Sequence, residues 1–553
     1  MQIVRSLLCV LLFMALVPGF LMANDKYSGN PTARAEFDKG KVATQSEDWK
    51  AAVAAYKKAI QLDPNFADAY EEYNYARMLL AMGDVSGWDH QSKAEQKKRE
   101  KRVKRDEDNH TKEYQNLARR HPNMPIYRWA LAQQYAESDP KLQEKYCAEA
   151  VEIDASFGPG YDCLAAVAGL RGDTNAAAKA LRKDIELNPD NKELLLRLQR
   201  EVRSDPSQFE EVTREIVSKV PSSDTASEAL NTYAETLPQT EQITKLEEIV
   251  ANYPPSKFHE ASAAADRLFA FYDSTDPGKA ADFAHKMQSD MPADKEWKDN
   301  ATYVDSMATA NAKIAVNDGT GALAVLKDLK VPGYTLDPTR LQLLKAKARD
   351  LAGNTSTAYT DLLKIFAERP VREVQHVLYQ YGKKLGKTEN TVDDEVWNAR
   401  RASAKPATPF LLESFIDGKK VSLDDYKGKV VLLDFWFPNC GPCMQSMPYL
   451  QALWTKFKDS GVVFLGVNGV EGQADFVMPL AKSNQWGMIP LRGTAEWCSD
   501  VYKVRGYPTT FLIGADGRVY FRPEVRDSHQ YEIAEMQIEA LLAAAKGNIK
   551  STE

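Results

Sequence analysis

The 553-residue chain has few cysteines and no surplus of positive charge. Six cysteines are too few for a disulfide-rich scaffold, and a net charge of -7 disfavours a partnership with nucleic acid. The hydrophobic content of 44% is typical of a soluble globular protein. Because one ordinary domain has roughly 100 to 200 residues, the length predicts two or more domains.

One long apolar run stands at the amino terminus. Arg5 precedes the apolar stretch Leu7–Val17, and small Ala23 precedes polar residues, which is the pattern of a cleaved signal peptide over residues 1–23. The alternative is an uncleaved membrane anchor, since Leu7–Ala23 is just long enough to span a bilayer. We therefore expect an exported protein, in the bacterial periplasm or another extracytoplasmic compartment.

A helical repeat pattern follows the apolar run. Small and bulky residues recur at matching offsets in Ala33–Phe66 and Gly158–Asn191, and a weaker copy occupies Met124–Phe157. The first copy has Gly40, Ala43, Ala52, Tyr56, Ala59 and Pro64 at these offsets. The register resembles the tetratricopeptide (TPR) family, whose helix-turn-helix units are about 34 residues long. The resemblance implies an α-solenoid with a concave face for protein partners.

The repeats predict the boundaries of the helical region. We expect TPR-like repeats over 24–200, a further α-helical solenoid over 201–389 and a polar linker over 390–408. The charged segment Lys93–Asn109 is either a solvated helix or a patch for nucleic acid or an anionic membrane, and its interspersed acidic residues favour the solvated helix.

Two cysteines fall within the repeats. Cys147 and Cys163 lie in helices of neighbouring units, either as buried apolar side chains or as a disulfide formed after export.

The pattern changes from helical to strand-like in 409–548. Short apolar runs bounded by turn residues include VVLLDFWF at 430–437 and VVFLGVN at 462–468, and a helix is predicted over 440–458 between them. This strand-helix-strand order places the motif CGPC, Cys440 to Cys443, at the start of a helix. The fold class is therefore multidomain, an α-solenoid followed by an α/β domain.

The position of Cys440 predicts a reactive thiolate. Free backbone N–H groups and the helix dipole at a helix amino terminus stabilise an anion, and thiolate is the form that attacks disulfides. Cys443, held close by the two-residue spacer Gly441-Pro442, is placed to resolve the resulting mixed disulfide. No His or further Cys stands at ligand spacing around the motif, so we expect no metal site.

The domain resembles the thioredoxin fold, and its leading hairpin and a helical stretch around 474–484 resemble the exported TlpA/ResA-like branch. The match rests on DFW before CGPC, on Pro448, and on YKVRGYPTT at 502–510. The resemblance implies that Asp434 is a buried proton acceptor for Cys443. It also implies a cis Pro508 and substrate contacts from Trp436, Gly441, Pro442, Tyr507 and Pro508.

Two residues do not follow the family pattern. Asn439 stands where the family usually has Trp, which removes an apolar lip beside the site. Cys498 has no counterpart in the motif, and we interpret it as a structural thiol in preference to a third redox cysteine.

The leading hypothesis is an exported thiol-disulfide oxidoreductase, working as a reductant, whose solenoid binds protein clients. Such a protein needs no cofactor beyond the Cys440–Cys443 disulfide, but it needs electrons from a membrane thiol-transfer partner. The alternatives are an interaction scaffold with a redox-inactive module and a thiol peroxidase on the same fold.

Overall fold

The computed structural model describes residues 27–83, 93–136, 138–333 and 336–547. The predicted signal peptide, 1–23, lies outside these ranges. Within them, no helix combines the length and apolar character that a membrane crossing requires.

Twenty α-helices fill the described chain up to residue 403. They are α1 Pro31–Gln45, α2 Trp49–Leu62, α3 Ala67–Met82, α4 Lys93–Arg120, α5 Pro125–Gln133, α6 Pro140–Ile153, α7 Gly158–Leu170, α8 Thr174–Leu187, α9 Lys192–Glu201, α10 Pro206–Lys219, α11 Asp224–Ala234, α12 Gln239–Asn252, α13 Ser262–Thr275, α14 Pro277–Asp290, α15 Lys295–Ala315, α16 Gly319–Leu326, α17 Thr339–Leu351, α18 Thr355–Glu368, α19 Arg372–Lys384 and α20 Glu389–Ser403.

Local sequence signals start and pair these helices. An Asp-Pro dipeptide opens α6, α10 and α14, where the Asp side chain accepts backbone N–H bonds and the Pro occupies the first helical position. Gly40 lets α1 approach α2, since a Cβ there would lie 2.4 Å from the Tyr56 ring. Small residues thus sit where paired helices touch, as the repeat pattern predicts.

The structure corrects the boundary between the two regions. Residues 390–403 of the predicted linker belong to α20, whose buried face includes Val392, Val396 and Trp397. Residues 405 and 406 of the predicted linker form a short strand, so the sheet domain begins before residue 409. The polar surface of the helix and Pro406 give this stretch the composition of a linker. The charged segment forms part of α4, and Cys147 and Cys163 form a buried disulfide between α6 and α7.

An eight-stranded sheet forms the core of the carboxy-terminal domain. Its strands are β1 Lys405–Pro406, β2 Leu411–Ser414, β3 Lys420–Ser422, β4 Val430–Trp436, β5 Val462–Asn468, β6 Ile489–Arg492, β7 Thr509–Ile513 and β8 Arg518–Phe521. Their order is β1-β8-β7-β4-β5-β6-β2-β3. The helices are α21 Gly441–Phe457, α22 Ala474–Ser483, α23 Ala495–Asp500 and α24 Ser528–Ala545.

The central strand β4 is buried along its whole length. It pairs in parallel with β5 and antiparallel with β7, as expected for a continuous apolar run. Leu432 and Trp436 face one apolar cluster, which also contains Cys440 and Cys443, and Leu433 and Phe435 face the other. This alternation directs Asp434 to the same side of the sheet as the two cysteines.

The solenoid packs directly against the sheet domain. Arg369 forms a two-pronged ion pair with Asp337, at 2.8 and 3.0 Å, and His529 of α24 bonds the same carboxylate. Trp397 of α20 stacks on Tyr520 of β8 with ring centroids 5.0 Å apart. The late solenoid and the sheet domain therefore share one interface.

Candidate functional site

Cys440 and Cys443 form a disulfide at the amino terminus of α21. Cys440 is the N-cap residue, and its sulfur accepts the backbone N–H of Cys443 at 3.2 Å. Pro442 lies in the first helical turn, where its missing N–H costs no helical hydrogen bond. A thiolate at Cys440 would therefore face the free N–H groups of the helix, as the sequence predicts.

Both cysteines are almost covered by neighbouring side chains. Cys440 is 4% exposed and Cys443 is 0% exposed. The expected difference between an exposed Cys440 and a buried Cys443 is therefore small in the disulfide form. Phe437 and Val470 belong to the same apolar cluster as the two sulfurs. Gly441, in contrast, is exposed, and among the described residues no atom beyond its chain neighbours and its own helix backbone lies within 4 Å of the position that a Cβ would take there. The exposed backbone of Gly441 is therefore the open side of the disulfide.

Asp434 is a wholly buried carboxyl group on β4. Its Oδ1 accepts the Thr510 hydroxyl at 2.7 Å, and its Oδ2 has no hydrogen-bond partner within the described ranges. Burial raises the pKa of Asp434 to about 7, against the lowering effect of the Thr510 bond. A carboxyl group with that pKa can take up and release a proton near neutral pH.

The loop before β7 supplies a second wall. The Tyr507–Pro508 peptide bond is cis, as the family resemblance implies. Both residues are partly exposed, and the Tyr507 ring meets Phe437 edge to face with centroids 5.3 Å apart. Phe437 precedes the cysteine loop, so this aromatic contact connects the cis-proline loop to the disulfide.

Trp436 does not take the predicted role of a substrate contact. Its side chain is wholly buried and packs edge to face on Trp486, with centroids 5.2 Å apart. Its Nε1 has no hydrogen-bond partner within the part of the chain that the structure describes. The Trp436 side chain therefore belongs to the core beneath the site.

The backbone next to Cys440 is held by a residue that the sequence did not indicate. The Asn439 N–H donates to Oε1 of Gln473 at 2.8 Å, and Gln473 is only 2% exposed. Asn439 itself is exposed, so the replacement of the family's Trp leaves the rim of the site polar. Gln473 lies 34 residues away in a turn before α22 and belongs to no recognisable motif.

Cys498 lies behind the cis-proline loop as a buried free thiol. Burial raises its pKa to about 12, even though a contact with Tyr507 has the opposite effect. Such a thiol carries almost no thiolate near neutral pH, which agrees with a structural role. In the described ranges, no three His, Cys, Asp or Glu side chains are grouped so that they could hold a metal ion.

The sequence located most of the site but missed two of its polar partners. Thr510 stands two residues after the cis proline, inside a quoted motif, and only the β4–β7 register shows that it faces Asp434. Gln473 has no sequence signal at all, because its role depends on a contact between two loops.

Comparison with known proteins places both regions. The family model described as AhpC/TSA family matches residues 404–522, and a model described as TPR repeat matches residues 40–73. The thiol-disulfide oxidoreductase ResA of Bacillus subtilis is 37% identical over 113 residues, which cover 20% of this chain and 62% of that protein. ResA of Geobacillus thermodenitrificans is 34% identical over 118 residues, which cover 21% of this chain and 67% of that protein.

The chain spans about 64% of the length of the first curated relatives, through matches that cover 20% of this chain. Among solved structures, the thioredoxin domain of a thiol-disulfide oxidoreductase from Bacteroides vulgatus is 28% identical, with a TM-score of 0.22. The alignment covers 24% of this chain and 96% of that chain.

Proposed function

We propose that this protein exchanges thiols and disulfides with protein substrates. Through its carboxy-terminal domain, the chain belongs to the family of thiol-disulfide oxidoreductases that includes ResA. The observation that carries the proposal is the Cys440–Cys443 disulfide at a helix amino terminus, beside a cis proline. The same geometry supports the roles of the individual residues in the reaction.

In the reducing direction, the Cys440 thiolate attacks one sulfur of a substrate disulfide. The substrate S–S bond breaks, a Cys440–substrate disulfide forms, and the other substrate sulfur leaves as a thiolate that takes a proton from water. The N–H groups at the start of α21 stabilise the attacking thiolate before the reaction.

Cys443 completes the exchange by attacking Cys440. The mixed disulfide breaks, the Cys440–Cys443 disulfide forms and the second substrate thiol leaves, so two electrons pass to the substrate. Cys443 is wholly buried and must lose its proton first. Asp434 lies on the same side of the sheet, and its raised pKa suits it to accept that proton, directly or through water.

The proposal includes reduction as the working direction and export as the location. Each turnover leaves Cys440 and Cys443 oxidised, and an exported reductant has to receive two electrons from a membrane thiol-transfer partner. The apolar run at residues 1–23 supports export.

The solenoid is proposed to bind clients through its first repeats. These repeats form a groove that is lined by Asp68 and Glu71 of α3, Asp162 of α7 and Asp184 of α8. These carboxyl groups complement a basic segment of a client.

Reduction of insulin or a model disulfide by the full-length protein, with a small dithiol as the electron source, tests the activity. We expect reduction by the wild type and none by Cys440→Ala, whereas Cys498→Ala should remain active because its thiol lies outside the exchange pathway. Turnover of peroxide without reduction of disulfides would contradict the proposal and favour a peroxidase.

A trapping experiment tests the groove separately. Full-length Cys443→Ala should accumulate clients as mixed disulfides on Cys440, because the resolving thiol is missing. Adding Glu71→Lys should reduce trapping of clients, whereas Glu241→Lys, at another exposed glutamate of the solenoid, should not. Equal trapping by both double variants would refute client binding in the groove.

A further inference from the structure

The turn before α22 is fixed to the loop that carries the reactive cysteine. Oε1 of Gln473 accepts the N–H of Asn439, the residue immediately before Cys440, at 2.8 Å. The other local bond of this loop runs from the Cys440 N–H to the Phe437 carbonyl at 3.1 Å. Because Gln473 is 2% exposed, water cannot easily replace its carbonyl as the acceptor for Asn439.

The opposite end of α22 is fixed to the solenoid. The Ser483 hydroxyl donates to the Gly172 carbonyl at 2.6 Å, across 311 residues of sequence. Gly172, in the turn after α7, has a φ of +73°, and a Cβ there would lie 2.7 Å from the Ser483 Cβ and 3.5 Å from the Leu480 backbone. The two backbones therefore approach as closely as a glycine allows. Lys141, from the same hairpin region of the solenoid, lies 4.0 Å from Asp475 near the start of α22.

We infer that α22 is a positioning element for Cys440, with Gln473 holding the cysteine loop at one end and the Gly172 turn of the solenoid holding Ser483 at the other. The meaning of this arrangement for catalysis rests on the proposed thiol-disulfide exchange. Gln473 is a positioning residue, since it acts on the reacting sulfur only through the Asn439 backbone.

α22 spans about 15 Å over its ten residues, with Pro479 inside it, and connects the Ser483 contact to Gln473 at its N-cap. Gln473 in turn fixes the loop that sets the direction of the Cys440 side chain at the N-cap of α21. Because anion stabilisation by a helix falls off within the first turn, a small change in that direction alters the thiolate stability. The solenoid therefore contributes to the reactivity of a cysteine that belongs to another domain.

Substitutions of Gln473 in the full-length, reduced protein test the first contact. The readout is the pKa of Cys440, from the pH dependence of its alkylation rate located by mass spectrometry. Gln473→Ala should raise this pKa by about half a unit, because the loop loses the bond that holds Cys440 against the helix. Gln473→Glu keeps an acceptor but adds a negative charge near the sulfur, and it should raise the pKa by about one unit.

Gln199→Ala is the matched control for a lost buried glutamine. Gln199 is 1% exposed and donates to Thr213 at 2.7 Å and to the Ala229 carbonyl at 2.9 Å, within the solenoid. The Gln199→Ala variant should have a lower free energy of unfolding than the wild type and an unchanged pKa of Cys440. If both Gln473 variants leave that pKa at the wild-type value, the inference is wrong.

Gly172→Ala and Gly353→Ala test the second contact. Gly353 has a similar φ of +81° after α17, but nothing lies within 4 Å of its Cβ position, so this variant reports backbone strain alone. We expect Gly172→Ala to raise the pKa of Cys440 as Gln473→Ala does, and Gly353→Ala to leave it unchanged. Equal pKa values in the two glycine variants would refute the contribution of the solenoid.

These measurements do not depend on any protein substrate. If the protein failed to reduce disulfides, alkylation of Cys440 would still report whether α22 positions the cysteine. Conversely, normal reduction of insulin with an unchanged Cys440 pKa in every variant would reject the inference and leave the proposed function standing.

Discussion

The buried carboxyl group of Asp434 should make the stability of the carboxy-terminal domain depend on pH, and Asp434→Asn should remove that dependence. Asn retains the size of the side chain and an oxygen that accepts the Thr510 hydroxyl. It cannot ionise, so no charge has to be buried at high pH. The comparison is made on the oxidised protein, in which Cys440 and Cys443 are disulfide-bonded and do not titrate.

The expected magnitude follows from the pKa of Asp434. Burial raises it from 3.8 to about 7 in the folded protein, and this rise corresponds to about 4 kcal/mol at 1.36 kcal/mol per pKa unit. Between these two pH values the folded state keeps a proton that the unfolded state has lost. The contribution of protonated Asp434 to the stability of the fold is therefore complete below the pKa that Asp434 has in the unfolded protein. It is lost as the pH rises through the pKa that Asp434 has in the folded protein. The variant should gain about 4 kcal/mol relative to the wild type between pH 4 and pH 8.

Urea titration at several pH values measures this difference, with deuterium uptake by the β4 peptide reporting the unfolding of this domain. The test uses only how the difference in free energy of unfolding between Asp434→Asn and the wild type changes with pH. The amide group of Asn adds a pH-independent cost because the Oδ2 position offers it no hydrogen-bond partner in the described structure. A difference that is constant from pH 4 to pH 8 would show that Asp434 does not carry the raised pKa, and its role as proton acceptor would lose its basis.

Three further predictions concern the cysteines. After mild reduction, Cys440 should be alkylated faster than Cys443 near pH 7, because only its sulfur faces the helix N–H groups; equal rates, measured by mass spectrometry, would reverse the proposed roles. Cys498 should react with a thiol reagent only after denaturation, because it is wholly buried, and reaction in the native protein would contradict this. Replacing Cys147 and Cys163 together by Ala should cost about 3 kcal/mol of unfolding free energy, since their disulfide closes a loop over a separation of 16 residues. An unchanged free energy of unfolding would contradict that role.

Much of the carboxy-terminal domain could be predicted from local patterns. The fully apolar stretch around Leu432 has to become a central strand, and Pro442 one residue before Cys443 suits the first turn of a helix. The resemblance to thioredoxin-fold proteins supplied the cis Pro508, which spacing alone would not have indicated. It misled at Trp436, because a residue that matches a motif can be part of the core beneath the site.

The predicted linker at 390–408 shows that amino-acid composition alone does not distinguish a linker from a surface helix. A helix with one buried stripe and a charged outer face has the average composition of a linker, and only the packing of Val396 and Trp397 distinguishes the two.

The sequence by itself determined the repeats, the central strands β4 and β5 and the cysteine pair, because each depends on residues close together in sequence. It did not indicate β1 or β6. The tertiary structure decided the pKa of Asp434, which depends on complete burial and on Thr510 from another strand. It also decided the contacts of Gln473 with Asn439 and of Ser483 with Gly172. Each of these contacts joins residues that are 34 or 311 positions apart. No local pattern encodes such contacts. The Gln473 bond forms only when two loops of the sheet domain meet, and the Ser483 bond forms only when the solenoid packs against that domain.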